Sequence, residues 1–322
     1  MKKIITWAKP TWEMPHIGNL VWAILPLQKL AENNDAALFI ADLHALTSVK
    51  DAKLLKEYSK EVALTYFSIF GIDTKVKIFR QSDIISIPKL NWILSNVTPY
   101  SLMLRAHSFK DSQAKKIDLN MWVFNYPILM AADIIWYDID IVPVWEDQKQ
   151  HLEMTRDIAK AFNKAYKTEI FKLPVEYIEK SVGLLPGLDW RKMSKSYNNF
   201  IWIFDDEKTL KKKIMSIVTD SKWVDEPKDP ETCNIFALIK VFWEKNKIEE
   251  IRLKYLSWWY GYWHAKQELF EILNPYIGNF RAKREELSKN YDLIEKKLAE
   301  WAKVMNERIE EKMKEVKNVV GL

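Results

Sequence analysis

His16, Gly18 and Asn19 fall in the run His16-Ile17-Gly18-Asn19, behind a Lys9-Pro10-Thr11 turn and at the head of a long helical pattern. The open N–H groups and positive end of a helix attract anionic oxygens. A glycine there lets a ligand approach the backbone, and His and Asn add donors, so the run suits a phosphate or the adenine end of ATP. The same four letters also describe an ordinary helix start with a surface histidine. Further on, Lys192-Met193-Ser194-Lys195-Ser196 follows Leu188-Asp189-Trp190-Arg191. Two lysines three apart, interleaved with hydroxyls, could wrap a triphosphate and neutralise a departing pyrophosphate; a solvated basic loop is the plainer alternative.

A third constellation is apolar. Met130 and Asp133, three apart, share one face of a helix, with Tyr126 a turn before Met130. The result is an apolar slot with one carboxylate at its end. Indole, a large apolar body with one N–H donor and no acceptor, is suitably read by an acceptor-only carboxylate. A buried acid satisfied by backbone donors is the alternative for Asp133, and plain core the alternative for Met130. His107, His151 and His264 have no ligand-like spacing.

These groups need a frame. The first half alternates short β-rich runs (residues 3–6, 37–42, 76–81 and 139–144) with helical patterns (18–33, 52–70, 127–136 and 147–162), which is the spacing of βαβ crossovers. The expected fold is α/β, a Rossmann-like doubly wound parallel sheet with its ligand at the carboxyl ends of the strands. Beyond about residue 200 the strand signal stops, and amphipathic helices (207–218, 234–245, 263–273 and 291–316) predict a helical second domain. The stretch 219–232, with Pro227, Pro230 and several acids, reads as a loop within it.

The length of 322 residues suits two domains of about 100–200 residues. A formal charge of +5 permits a polyanionic partner without requiring one. The single cysteine, Cys233, forms no intramolecular disulfide and supplies no Cys-rich zinc cage, as expected in a reducing compartment. No apolar run reaches the roughly 18–20 residues of a membrane span, and the apolar stretch after Met1-Lys2-Lys3 is too short for a signal peptide. A cytoplasmic protein without a membrane partner is expected.

The two short motifs, in this order and this far apart, resemble the paired signature of class I aminoacyl-tRNA synthetases. Tyr126-Pro127-Ile128-Leu129-Met130-Ala131-Ala132-Asp133 continues through Val142-Pro143-Val144 to Glu146-Asp147-Gln148-Lys149-Gln150-His151. With Asp42-Leu43-His44-Ala45 and Thr219-Asp220-Ser221, it extends the resemblance to the bacterial-type tryptophanyl-tRNA synthetases over essentially the whole chain. The resemblance implies a catalytic domain over 1–200 and a helical anticodon-binding domain over 201–322, whose last helix packs back on the first. It implies activation of L-tryptophan with ATP and Mg²⁺, transfer to tRNA(Trp), and a homodimer. Mg²⁺ would arrive on ATP, without a structural metal in the protein. Catalysis would fall to His16, Asn19, Lys192 and Lys195. The nucleotide would be held by Lys9, Pro10, Thr11, Gly18, Asn19, Trp145, Glu146, Asp147, Leu184, Lys192, Met193, Ser194, Lys195 and Ser196. Tryptophan would be held by Ile5, His44, Tyr126, Met130, Asp133 and Gln148. The tyrosine enzymes share the fold, and a noncatalytic tRNA-binding relative is the reading from another class.

One departure from the family is systematic. Glycine numbers 7 and tryptophan 15, and together they approach the roughly 23 glycines that an ordinary frequency of ~7% would give. Trp7, Trp12, Trp22, Trp145, Trp190, Trp258, Trp259, Trp263 and Trp301 stand where the family pattern has glycine, whereas Trp92 stands where tryptophan is natural. Trp122, Trp136, Trp202, Trp223 and Trp243 fit neither group. Tryptophan is close to the worst replacement where backbone must approach a ligand or adopt positive φ. The pattern predicts opal codons decoded as glycine in the source organism; a chain that has lost catalysis, or a natural Trp-rich surface, are the competing accounts.

Overall fold

The computed structural model describes residues 1–10, 14–106, 109–110, 113, 120–143, 149–177 and 185–322. Thr11, Trp12, Trp145, Glu146, Asp147, Gln148 and Leu184, all assigned to ligand sites or glycine positions above, lie outside the described residues. The chain divides into two compact units. One comprises Met1–Glu13, Leu27–Ile178 and Asn290–Leu322; the other comprises Met14–Pro26 and Glu179–Lys289.

The first unit is built on five parallel strands: β1 (Lys3–Ala8), β2 (Asp35–Ile40), β3 (Lys77–Arg80), β4 (Ile141–Pro143) and β5 (Val175–Tyr177), in the order β3-β2-β1-β4-β5. Strand β2 is an unbroken buried run from Ala36 to Ile40, as expected of a central parallel strand covered on both faces. The order reverses between β1 and β4, and a doubly wound sheet opens a crevice for ligands at such a switch point. Four strands were legible in the sequence pattern. The three residues of β5, with a charged Glu176 at their centre, gave no period to read.

In chain order the helices of this unit begin with α2 (Leu25–Ala31), which straddles the unit boundary, α3 (Asp42–Ala45), α4 (Ala52–Phe70), α5 (Ile87–Ser95), α6 (Tyr100–Leu104), α7 (Met121–Ile135) and α8 (Lys149–Ala165). Helix α4 starts where the Asp51 side chain accepts from the N–H groups of Lys53 (2.8 Å) and Leu54 (3.0 Å), and stops at Gly71, φ +85°. Helix α7 begins at Met121, six residues before the expected Pro127, because Asn120 caps it by accepting from the Val123 N–H (3.1 Å). The terminal helix, α13 (Tyr291–Val320), belongs to this unit. It is tied to the sheet by Arg80 to Glu295 (2.6 Å) and Arg308 to Asp35 (3.0 Å), and buries Met305, Ile309, Met313 and Val316 in the core.

The second unit holds α1 (Ile17–Asn19), α9 (Glu207–Met215), α10 (Asn234–Phe242), α11 (Lys245–Leu256) and α12 (Tyr262–Lys289). The helix expected over 18–33 is interrupted by a π-turn at Leu20–Ile24, a feature that often accompanies functional sites. The helix expected over 234–245 is broken at Trp243, which has extended backbone, so α10 and α11 are separate. The stretch 219–232 is non-helical, as its prolines and acids require. Lys228 ties it together by donating to the carbonyls of Trp223 (2.9 Å) and Glu226 (2.7 Å). The fold is α/β, a Rossmann-like parallel sheet followed along the chain by helices. No helix among the described residues is long and apolar enough to cross a membrane.

Candidate active site

In the first unit the residues expected to hold an apolar ligand collect around α7. Ile5 on β1 and Met130 on α7 sit in one buried cluster. His44, on the short helix after β2, stands edge-on to Tyr126 with ring centres 6.1 Å apart. Its Nε2 lies 3.0 Å from Oδ2 of Asp133. Asp133 is 2% exposed. Burial pushes its carboxyl above the ordinary carboxylate value, opposed by hydrogen bonds from His44 and Gln81. When the carboxylate is ionised it only accepts, and His44 Nε2 is then the donor. His44, Tyr126, Met130 and Asp133 are thus gathered around one buried acceptor. Lys9, at the carboxyl end of β1, donates to Thr47 Oγ1 (3.0 Å), and Pro10 is buried beside it.

Two further residues hold this site: Gln81, which belongs to no sequence motif, and Asp42, which opens the Asp42-Leu43-His44-Ala45 run. Gln81 is 1% exposed and donates from Nε2 to Asp133 Oδ2 at 2.7 Å. Asp42 accepts from the N–H groups of Leu43 (2.9 Å) and Ser82 (3.0 Å), which fixes the loop after β2 against the loop after β3. A lone Gln at a strand end has no periodicity; the only signal available for Gln81 was its position at the carboxyl end of a parallel strand.

In the second unit the His16 segment is joined to the segment after the lysine loop. The Ile17 N–H donates to the Ile201 carbonyl (2.9 Å), His16 pairs with Trp202 in an isolated antiparallel bridge, and the rings of His16 and Phe200 stack at 6.0 Å. Asn19 Oδ1 accepts from the His16 N–H at 3.0 Å, closing the first turn of α1. Gly18 is required by the space available: a Cβ there would lie 2.7 Å from the His16 ring and 2.9 Å from Trp22.

The lysine loop is anchored from below. Met193 is buried, and its N–H donates to the Leu185 carbonyl (3.0 Å). Asn199, buried and absent from any sequence motif, accepts from the Ser194 N–H (2.8 Å) and donates to the Lys192 carbonyl (3.1 Å) and to Asp189 Oδ1 (2.5 Å). Ser194 accepts from the Ser196 N–H (3.2 Å). Lys192 Nζ lies 5.8 Å from the centre of the Trp22 ring, and Lys195 Nζ 5.3 Å from that of Trp202. His16, Gly18, Asn19, Lys192, Met193, Ser194, Lys195 and Ser196 therefore belong to one compact unit: a helix start and two ammonium groups, donors suited to a polyphosphate. Among the described residues no group of three or more His, Cys, Asp or Glu side chains could hold a metal ion.

Residues 2–276 match the family of tRNA synthetases class I (W and Y). The chain is 45% identical over its full length to the tryptophan–tRNA ligase of Fusobacterium nucleatum subsp. nucleatum, covering 98% of that protein. It is 41% identical to the tryptophan–tRNA ligase of Campylobacter jejuni, with 99% of this chain and all of that protein aligned. The crystal structure of the C. jejuni tryptophanyl-tRNA synthetase complexed with ADP and tryptophan superposes with a TM-score of 0.90 at 40% identity, over 99% of this chain and 100% of that one.

Proposed function

The chain belongs to the class I tRNA synthetases of the tryptophan and tyrosine group, and from that membership we infer an enzyme that joins tryptophan to tRNA. It is a tryptophan–tRNA ligase, with full-length tryptophan-specific relatives at 41–45% identity. The site observation that supports tryptophan is the buried Asp133 carboxylate, three residues along α7 from Met130 of the apolar core cluster. A tyrosine hydroxyl donates and accepts, and would use only half of what an acceptor-only group offers.

The chemistry has two steps. The tryptophan carboxylate, ionised at neutral pH, attacks the α-phosphorus of ATP. A new P–O bond forms, the bond to the α,β-bridging oxygen breaks, and its electron pair leaves with pyrophosphate. A hydroxyl of the terminal tRNA ribose then attacks the adenylate carbonyl, and AMP leaves. The first step needs alignment and charge stabilisation more than a general base. His16, Asn19, Lys192 and Lys195 supply donors and positive charge toward the phosphates, and Lys9, Pro10, Thr11, Gly18, Trp145, Glu146, Asp147, Leu184, Met193, Ser194 and Ser196 also bind the nucleotide. Ile5, His44, Tyr126, Met130, Asp133 and Gln148 hold the amino acid. Mg²⁺, arriving on ATP, would supply charge neutralisation at the phosphates. Residues 1–200 carry catalysis and 201–322 read the anticodon, apart from the last helix, which packs back on the sheet unit, in a cytoplasmic homodimer.

Pyrophosphate exchange tests this reading. Protein produced with the decoding of its own host is expected to exchange pyrophosphate into ATP in the presence of tryptophan and to be silent with tyrosine. Exchange driven by tyrosine in preference, or tRNA binding without exchange, would overturn it.

A further inference from the structure

Asp133 receives two hydrogen bonds on the same oxygen. His44 Nε2 (3.0 Å) and Gln81 Nε2 (2.7 Å) both meet Oδ2, and Oδ1 accepts none among the described residues. The Gln81 amide is itself oriented. Its Nε2 must face the carboxylate, because an amide oxygen there would repel it, and its Oε1 then faces the backbone N–H of His44 at 3.4 Å. Gln81 and His44 therefore form a closed arrangement: the backbone of one sets the amide of the other, and both side chains grip one oxygen of a buried acid. The turn that carries Gln81 is held in turn by the Asp42–Ser82 hydrogen bonds. Such an arrangement locks the carboxylate about its last torsion, which is otherwise broad.

We propose that Gln81 is a positioning residue for amino-acid selection: it saturates Oδ2 of Asp133 together with His44, and so commits Oδ1 to the indole N–H of tryptophan. The proposal rests on Asp133 as the reader of that N–H. A hydrogen bond to an ionised group that is made only when its acceptor is held in place gives strong selectivity, because the mis-set acceptor stays buried and unpaired.

Two variants and one control test it. Gln81→Glu keeps the size and the acceptor toward His44, but turns the donor toward Asp133 into a second carboxylate oxygen. Gln81→Met keeps the length and removes both hydrogen bonds. In pyrophosphate exchange each should raise KM for tryptophan about 10–100-fold, with kcat within roughly threefold. Each should also reduce, by about tenfold or more, the preference for tryptophan over the analogue in which sulfur replaces the indole N–H. KM for ATP should not move. An unchanged KM for tryptophan and an unchanged preference in Gln81→Glu would overturn the proposal. Loss of ATP binding, or failure of both variants to fold, would assign Gln81 a structural role and overturn it as well. The control Asp133→Asn separates the two failures. If it abolishes the preference while the Gln81 variants retain it, the Asp133 reading stands and the Gln81 proposal falls; if Asp133→Asn also retains the preference, the Asp133 reading itself is wrong.

Discussion

Lys195 and Asp133 do different work, and kinetics can separate them. The lysine acts on negative charge that grows as pyrophosphate leaves, so Lys195→Ala should lower kcat for exchange by about 100–1,000-fold and leave KM for tryptophan within a few-fold. An equal loss in tryptophan binding would reject that role. The backbone supplies another measurement at this scale. Asp138, Lys167, Trp190, Asn198 and Trp259 have positive φ among the described non-glycine residues, with Trp190 at +70° and Trp259 at +68°. Asp and Asn tolerate this region because a short polar side chain bonds locally; tryptophan has no such compensation, and its Cβ contact costs about 1–2 kcal/mol. Trp190→Gly and Trp259→Gly should therefore each raise unfolding stability by about 1 kcal/mol. Trp92→Gly, inside α5 where φ is helical, should lower it by a similar ~1 kcal/mol. Urea unfolding of the three variants gives both signs at once. A loss of stability at 190 and 259 would show that the indoles there are supported by contacts worth more than the strain.

Among the elements, the short α1 and its π-turn bear the tightest steric demand. A Cβ on Gly18 would press on the His16 ring at 2.7 Å, and that ring is stacked on Phe200, so the ring must move or the turn must open. Displacements of that size at a reacting group cost roughly 10–100-fold. Gly18→Ala should raise KM for ATP or depress kcat by that factor without altering KM for tryptophan, whose binding side chains belong to the other compact unit. A tryptophan KM that moves in parallel would contradict this separation. The same elements show what the sequence could disclose. The strand-and-helix alternation was legible because buried parallel strands are near-continuous apolar runs, and α4 ends where its Asp51 cap and Gly71 say it should. The π-turn was not, since Leu20–Ile24 has the same apolar letters as an α-helix. His16, Lys192, Lys195, Tyr126 and Asp133 stood out through spacing. Gln81 and Asn199 did not, because each acts through hydrogen bonds to residues far along the chain or to backbone atoms, and neither leaves a period.

Across the whole molecule, the excess of tryptophan has two kinds of address. Trp7 pairs in register with Phe39 on the sheet, its ring 6.2 Å away, and Trp301 packs beside the core with Lys77 and Lys297 over its ring. At both positions an indole packs and backbone geometry makes no case for glycine, although Nε1 of Trp301 is buried without a hydrogen-bond partner among the described residues. Trp190, Trp258, Trp259 and Trp263 are different: all are exposed, and two have the φ that glycine adopts at no cost. Two of the chain's own glycines behave as those two do, Gly71 and Gly321 ending helices at +85° and +81°. A natural Trp-rich surface would place indoles where φ is ordinary and some contact holds them. Opal codons read as glycine would instead put tryptophan wherever glycine belongs, at positive φ included, and would lower the glycine count by the same number, as the 7 glycines and 15 tryptophans do. The expected gene therefore carries opal codons at 7, 12, 22, 145, 190, 258, 259, 263 and 301, and the ordinary tryptophan codon at 92. Protein with glycine at all nine positions should show tryptophan-dependent exchange at least about tenfold faster than the literal tryptophan chain, because Trp12 and Trp145 adjoin in sequence the segments assigned to the nucleotide, and glycine is the residue that lets backbone approach a phosphate. Ordinary tryptophan codons at these positions, or equal turnover in the two proteins, would refute the recoding. The strain at Trp190 and Trp259 would then belong to the native enzyme.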